Sequence, residues 1–342
     1  MNRILQEDIN LFSLPPELID SLQGSTIIVT GATGLIGSTF VKCIATVVED
    51  VRFILPVRNK EKAESMFRDV AGEIRIVESS LDKFFSSGIS GCDYIIHCAS
   101  PTDGRFMSDF PVETFMLSVE STKAMLDFCR DREVKGMVYL SSIEYYGQIF
   151  NDSPVTEDMT GYVDIRSPRS SYPMGKQAAE FLCNSYVSEY GVRVMSARLT
   201  QTFGAGISPD DKRVFAQFAR NAINGQDIQL HTEGKSAKPY CYITDCVAAL
   251  VFILLKGSSG EAYNVATPGT YISIRGLAEL FCEAVNPDIK VEVKVDPDAT
   301  YAPHTTVNLS PRKLLDLGWK PRFNLREMAV RLADYLREES KV

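Results

Sequence analysis

The 342-residue chain is 45% hydrophobic and 23% charged, which excludes a disordered or fibrous protein and is enough for a large core spread over about two domains. Its net charge of -8, from 36 basic against 44 acidic residues, excludes a non-specific nucleic-acid binder, which needs dense Lys and Arg against phosphates. Eight scattered cysteines with no Cys-x-x-Cys pair, and three separated histidines, speak against zinc, cysteine chemistry and a disulfide framework. They fit reduced thiols in a cytoplasm, with no metal expected. The longest apolar run, Cys246 to Leu255, is half of what a membrane-spanning helix needs (about 20 residues) and reads as a buried helix. Acidic residues within Met1 to Asp8 argue against a secretory signal.

Residues 1–23 read as a short helical arm. The β-branched run Thr26 to Thr30 predicts a buried strand. A Gly-rich turn, a helix over Leu35 to Val48 and a second strand over Val51 to Val57 follow. Further strands are expected at Glu73 to Val77, Asp93 to His97, Gly136 to Ser141 and Val192 to Leu199, with long helices at Val112 to Arg132 and about Pro173 to Tyr190. This alternation predicts an α/β fold with a doubly wound parallel sheet of Rossmann type. Past residue 200 the segments shorten and loops multiply. The expected division is therefore an arm (1–23), a dinucleotide-binding domain (24–200) and a smaller mixed α/β substrate lobe (201–342), with some of its segments returning to the first domain.

Gly31-Ala32-Thr33-Gly34-Leu35-Ile36-Gly37 stands between the first strand and first long helix. Glycine there permits a tight turn, close backbone approach to a pyrophosphate and close helix–sheet packing, while the helix N-terminus supplies positive potential. Gly31, Thr33, Gly34, Leu35, Ile36 and Gly37 are thus candidate cofactor residues. The G-x-x-G-x-x-G spacing favours the short-chain dehydrogenase variety of this loop. At the end of the second strand Arg58 stands where an acidic residue would take the ribose hydroxyls of NAD. It leans the expectation to NADP through its 2′-phosphate, the alternative being a solvent-facing arginine at a strand end.

Ser141-Ser142-Ile143-Glu144 closes the fifth strand, and Tyr172-Pro173-Met174-Gly175-Lys176 opens a helix thirty residues later. With the glycine loop these motifs resemble the extended short-chain dehydrogenase/reductases of the NAD-dependent epimerase/dehydratase family, over about Gly24 to Pro321. Tyr and Lys at i, i+4 share a helix face, so a nearby ammonium would favour tyrosinate and let Tyr172 exchange a proton with a substrate hydroxyl. Ser142 would donate to the same oxygen, and Lys176 would also hold the nicotinamide ribose. The resemblance implies a homodimer, built through helices flanking the sheet.

His97-Cys98-Ala99-Ser100-Pro101 is similar to a segment of the UDP-glucuronate decarboxylase (UDP-xylose synthase) subgroup. That implies cofactor contacts from Ala99 and Ser100 and a substrate contact from Pro101; His97 reads as a packed strand-end residue. The family's dehydratases and decarboxylases carry Glu two positions after the catalytic Ser or Thr, so Glu144 implies acid–base work on a sugar ring. Ile143 stands where dehydratases often carry an acid. On the substrate side the resemblance points to Gln201, Arg213 and Lys238, while Arg198 can be structural. Thr305 and Thr306 occupy the region where a further phosphate-binding Arg is expected. The activity implied is epimerisation, dehydration or decarboxylation of a nucleotide sugar through transient C4 oxidation by tightly bound NAD or NADP. Two alternatives stand beside it, an NADPH-dependent carbonyl reductase and a non-catalytic NAD(P)-sensing protein.

Overall fold

The structure, a computed structural model, describes residues 2–89, 91–100, 104–150, 153–295 and 304–340. The strands in chain order are β1 (Thr26–Thr30), β2 (Arg52–Val57), β3 (Glu73–Glu78), β4 (Tyr94–His97), β5 (Gly136–Ser142), β6 (Val194–Leu199), β7 (Gln201–Phe203), β8 (Ile228–Leu230), β9 (Ala237–Lys238), β10 (Tyr240–Tyr242), β11 (Ala262–Val265), β12 (Ile272–Ser273) and β13 (Val291–Val293). Seven of them form one parallel sheet in the order β11-β6-β5-β4-β1-β2-β3. The central strands are almost wholly buried, as in β6 (VMSARL) and β5 (GMVYLSS). Helices on both faces demand such continuous apolar runs.

The chain winds outward through β2 and β3, then restarts on the other side of β1 with β4. The crevice beyond the carboxyl ends of β1 and β4 is therefore the switch point of the sheet, where open α/β sheets bind ligands. The glycine loop follows β1, Cys98-Ala99-Ser100 follow β4, and Ser142 ends β5.

Helix Leu35–Val47 buries Phe40, Val41, Cys43 and Ile44 against the sheet. On the other face, helices Pro111–Asp131 and Ser171–Tyr190 pack side by side. The remaining short strands pair as β7 with β10, β8 with β13 and, antiparallel, β9 with β12. β11 comes late in the chain and extends the main sheet beside β6. Cys246 to Leu255 lies inside the buried helix Ile243–Lys256. Among the described residues no helix is long and apolar enough to cross a membrane.

The arm is two helices, Arg3–Leu11 and Pro16–Leu22, and it is part of the core: Ile4, Leu5, Ile9, Leu18 and Leu22 are buried. Buried Asp8 locks it in place, accepting from the Tyr242 hydroxyl and from Arg331 Nε, each at 2.6 Å. At its start, Asn2 Nδ2 donates to Glu339 Oε1 of the last helix at 2.8 Å.

Candidate active site

The glycine loop is held by close backbone contact. Gly31 has φ +64°, and a Cβ there would lie 2.8 Å from the Ala99 nitrogen. A Cβ at Gly37 would lie 2.5 Å from the Gly31 carbonyl oxygen. The loop thus packs directly on the segment after β4, and the helix that starts at Leu35 has no side chain capping its first turn. Free N–H groups at a helix start, reached over bare glycine backbone, fit a dinucleotide pyrophosphate. Thr33, Gly34, Leu35 and Ile36 lie on this cradle. Opposite, Ala99 N donates to Thr30 Oγ1 at 3.2 Å. Ser100 Oγ and Ser141 Oγ are buried with no hydrogen-bond partner among the described residues. Unsatisfied hydroxyls of this kind call for a ligand or water.

Arg58 lies exposed just past β2 with no ion pair among the described residues. Asn59 beside it caps the helix Lys60–Phe67 through Lys62 N. His97 is buried, its Nδ1 2.6 Å from Thr30 Oγ1. Burial, followed by the charge of Lys176, holds its pKa well below the usual histidine value. It is a neutral packing residue, as expected of a strand-end histidine.

At the end of β5 the chain turns through Ile143–Tyr146, with Ser142 Oγ accepting from Glu144 N at 3.2 Å. Tyr172 and Lys176 project from the first turns of helix Ser171–Tyr190, with Lys176 Nζ 5.5 Å from the centre of the Tyr172 ring. Ser142, Glu144, Tyr172 and Lys176 therefore converge beside the glycine cradle. The electrostatics differ from the simple reading of the Tyr/Lys spacing. Burial pushes the Tyr172 phenol up to about 12, and the Glu144 carboxylate adds to the rise. The Ser142 hydroxyl and the guanidinium of Arg169 draw it back. Lys176, only 3% exposed, is itself pushed down to about 8 by burial. Desolvation outweighs the ion–ion attraction on which the sequence expectation rested.

Sequence reasoning missed Arg169. Its Nη2 donates to both oxygens of Glu144, at 3.0 and 2.8 Å. It sits in the short turn Pro168–Ser170 that leads into the Tyr172 helix. Its position three residues before Tyr172, one helical turn, was the available signal.

The substrate-side candidates are more dispersed. Gln201 begins β7. Lys238, in β9, is half-buried and carries no ion pair among the described residues. Arg213 is held by Asp211, at 2.6 Å from Nη2, and also donates to the Thr202 carbonyl. Arg198 is structural. It forms a buried ion pair with Glu180 at 2.8 Å, bonds the Tyr146 hydroxyl and stacks 3.5 Å over the Tyr145 ring. Pro101 lies outside the described residues.

A model of the NAD dependent epimerase/dehydratase family matches residues 27–266. The chain belongs to this family. Among curated relatives it is 30% identical over 236 residues to UDP-glucuronic acid decarboxylase 6 of Arabidopsis thaliana, spanning 69% of this chain and 67% of that one. It is 27% identical over 323 residues to the low-salt glycan biosynthesis protein Agl12 of Haloferax volcanii, covering 90% and 97% respectively. Its fold is similar to that of Thermotoga maritima UDP-glucose 4-epimerase solved with UDP-glucose, with TM-score 0.79, 21% identity and coverage of 92% and 99%. It also resembles the fold of the Streptomyces venezuelae dTDP-glucose 4,6-dehydratase solved with NAD, with TM-score 0.76, 20% identity and coverage of 92% and 98%. The family assignment makes this epimerase/dehydratase-fold chain an NAD(P)-dependent enzyme.

Proposed function

We propose that the protein modifies a nucleotide-activated sugar by transient oxidation at C4, with Ser142, Glu144, Tyr172 and Lys176 as its working groups. The observation that carries this reading is the convergence of these four residues at the carboxyl end of β5, next to the glycine cradle. NAD(P), held by Gly31, Thr33, Gly34, Leu35, Ile36, Gly37, Ala99 and Ser100, supplies a hydride acceptor that can also return the hydride. Tyr172 removes the proton from the C4 hydroxyl, and Ser142 donates to the same oxygen. Lys176 stands behind Tyr172 and favours the phenolate when it is protonated. Glu144 handles the neighbouring ring proton or orients the ring, which fits a dehydratase or decarboxylase better than a plain epimerase. Lys238, half-buried and without an ion pair among the described residues, is the cation for the substrate phosphates, and Arg213, Gln201 and Pro101 are further candidate substrate contacts.

Arg58 favours NADP, because its exposed guanidinium has no partner among the described residues and suits a 2′-phosphate. The location proposed is the cytoplasm, where the eight cysteines, free among the described residues, stay reduced. A homodimer is proposed through helices Pro111–Asp131 and Ser171–Tyr190, where Val112 and Phe181 stand 68% and 70% exposed and would be covered by a second copy.

Mass spectrometry of the nucleotides and nucleotide sugars that co-purify with the protein tests the reading. A bound NAD(P) and a nucleotide sugar converted without net cofactor consumption are expected. Stoichiometric NADPH oxidation with a simple carbonyl substrate would overturn it in favour of a reductase.

A further inference from the structure

Arg169 is a cation in the site that neither the glycine loop nor the Tyr/Lys pair explains. Its Nη2 grips both Glu144 oxygens, at 3.0 and 2.8 Å. Its guanidinium carbon lies 5.9 Å from the centre of the Tyr172 ring. Nη1 is buried and has no partner among the described residues. The pair bridges two separate elements, the turn after β5 and the turn before the Tyr172 helix. A carboxylate on a short turn would otherwise sample several rotamers, and its charge would oppose formation of a phenolate next to it.

We propose that Arg169 is a positioning residue that fixes the Glu144 carboxylate at the reacting centre and offsets its charge beside Tyr172. The claim rests on the reading above only in taking Tyr172 as the proton-transfer group. The charged and titratable groups around that phenol are Glu144 from the turn after β5, Arg169 from the turn before the helix, Lys176 from the helix itself and Tyr139 from β5. Of these, Glu144 and Arg169 act on it in opposite directions. Removing one of the two should therefore move the phenol one way, and removing both should nearly cancel.

The test is a pH titration of tyrosinate absorbance on the cofactor-free protein in which every tyrosine is replaced biosynthetically by 3,5-difluorotyrosine, whose lower intrinsic pKa brings the midpoint into a range the fold survives. Each variant is measured against its own Tyr172→Phe partner so that the difference isolates Tyr172. Arg169→Met should raise the midpoint by about one pH unit, the scale of a neighbouring opposite charge. Glu144→Gln alone should lower it, and the double variant should return close to wild type. Arg169→Lys, which keeps the charge, should stay near wild type. Identical midpoints in the wild type and all four variants, or a double variant that tracks Arg169→Met, overturn the proposal. If Arg169→Met fails to fold, the double variant compared with Glu144→Gln reads the same Arg169 contribution, a higher midpoint in the double variant being expected and an equal one overturning the proposal. No substrate is needed, so a failed substrate search leaves this inference standing, and a flat titration leaves the sugar reading standing.

Discussion

Lys176 Nζ donates to the carbonyl oxygen of Leu140 at 2.7 Å, fastening the helix that carries Tyr172 to the strand that ends in Ser142. The contact buries a cation whose pKa falls from 10.5 to about 8, burial outweighing the opposing pull of Glu180 and Glu144. A base with a depressed folded pKa is costly to hold protonated. That cost is fully present below about pH 8 and fades as pH rises toward 10.5.

Lys176→Met removes this titration. Stability of the wild type relative to the variant, followed by urea midpoints, should rise by about 2–4 kcal/mol from pH 8 to pH 10.5. Parallel curves for the two proteins would mean that the ammonium is solvated in the fold.

Tyr172→Phe keeps the ring and removes the proton carrier. Turnover of the nucleotide sugar found with the protein should fall by about 10²–10⁴-fold, while NAD(P) binding followed by calorimetry stays close to wild type. Retained turnover would return the sensor or a different base to consideration.

Gly31→Ala places a methyl group 2.8 Å from the Ala99 nitrogen at φ +64°. Gly88 has a similar φ of +70° but open space around it, so Gly88→Ala isolates the strain of the left-handed backbone, about 1–2 kcal/mol. Thermal melting should show the larger loss for Gly31→Ala, with NAD(P) binding lost in that variant only.

Glu180→Ala strands the Arg198 guanidinium, whose side chain is 5% exposed. Loss of about 3–5 kcal/mol is expected on chemical denaturation. The double change Glu180→Ala with Arg198→Met should recover part of it, since no buried charge is then left unpaired.

The main sheet was legible because its strands carry their own signal. Thr26–Thr30 and Val194–Leu199 are apolar runs too short for helices and are covered on both faces. The Tyr172 helix was equally plain from its period. Arg169 was not, because an arginine in an irregular turn has no periodicity and its partner Glu144 lies 25 residues away. Nor does spacing report desolvation, which governs both Tyr172 and Lys176. The strands past residue 200 run to only two or three residues, and their pairing depends on distant partners rather than on local pattern. Arg213 shows the same limit: a neighbour two positions back, Asp211, already holds a guanidinium read as a phosphate contact.

The hydrogen bond from Asn2 to Glu339 brings the two extremities of the described chain together, and Asp8 with Arg331 repeats the junction about two turns further in. A short peptide linker could join residues 2 and 339. The order of elements along the backbone could then be rotated by opening a surface turn elsewhere, such as the exposed one at Gly88. The architecture is in that sense nearly a closed ring of chain.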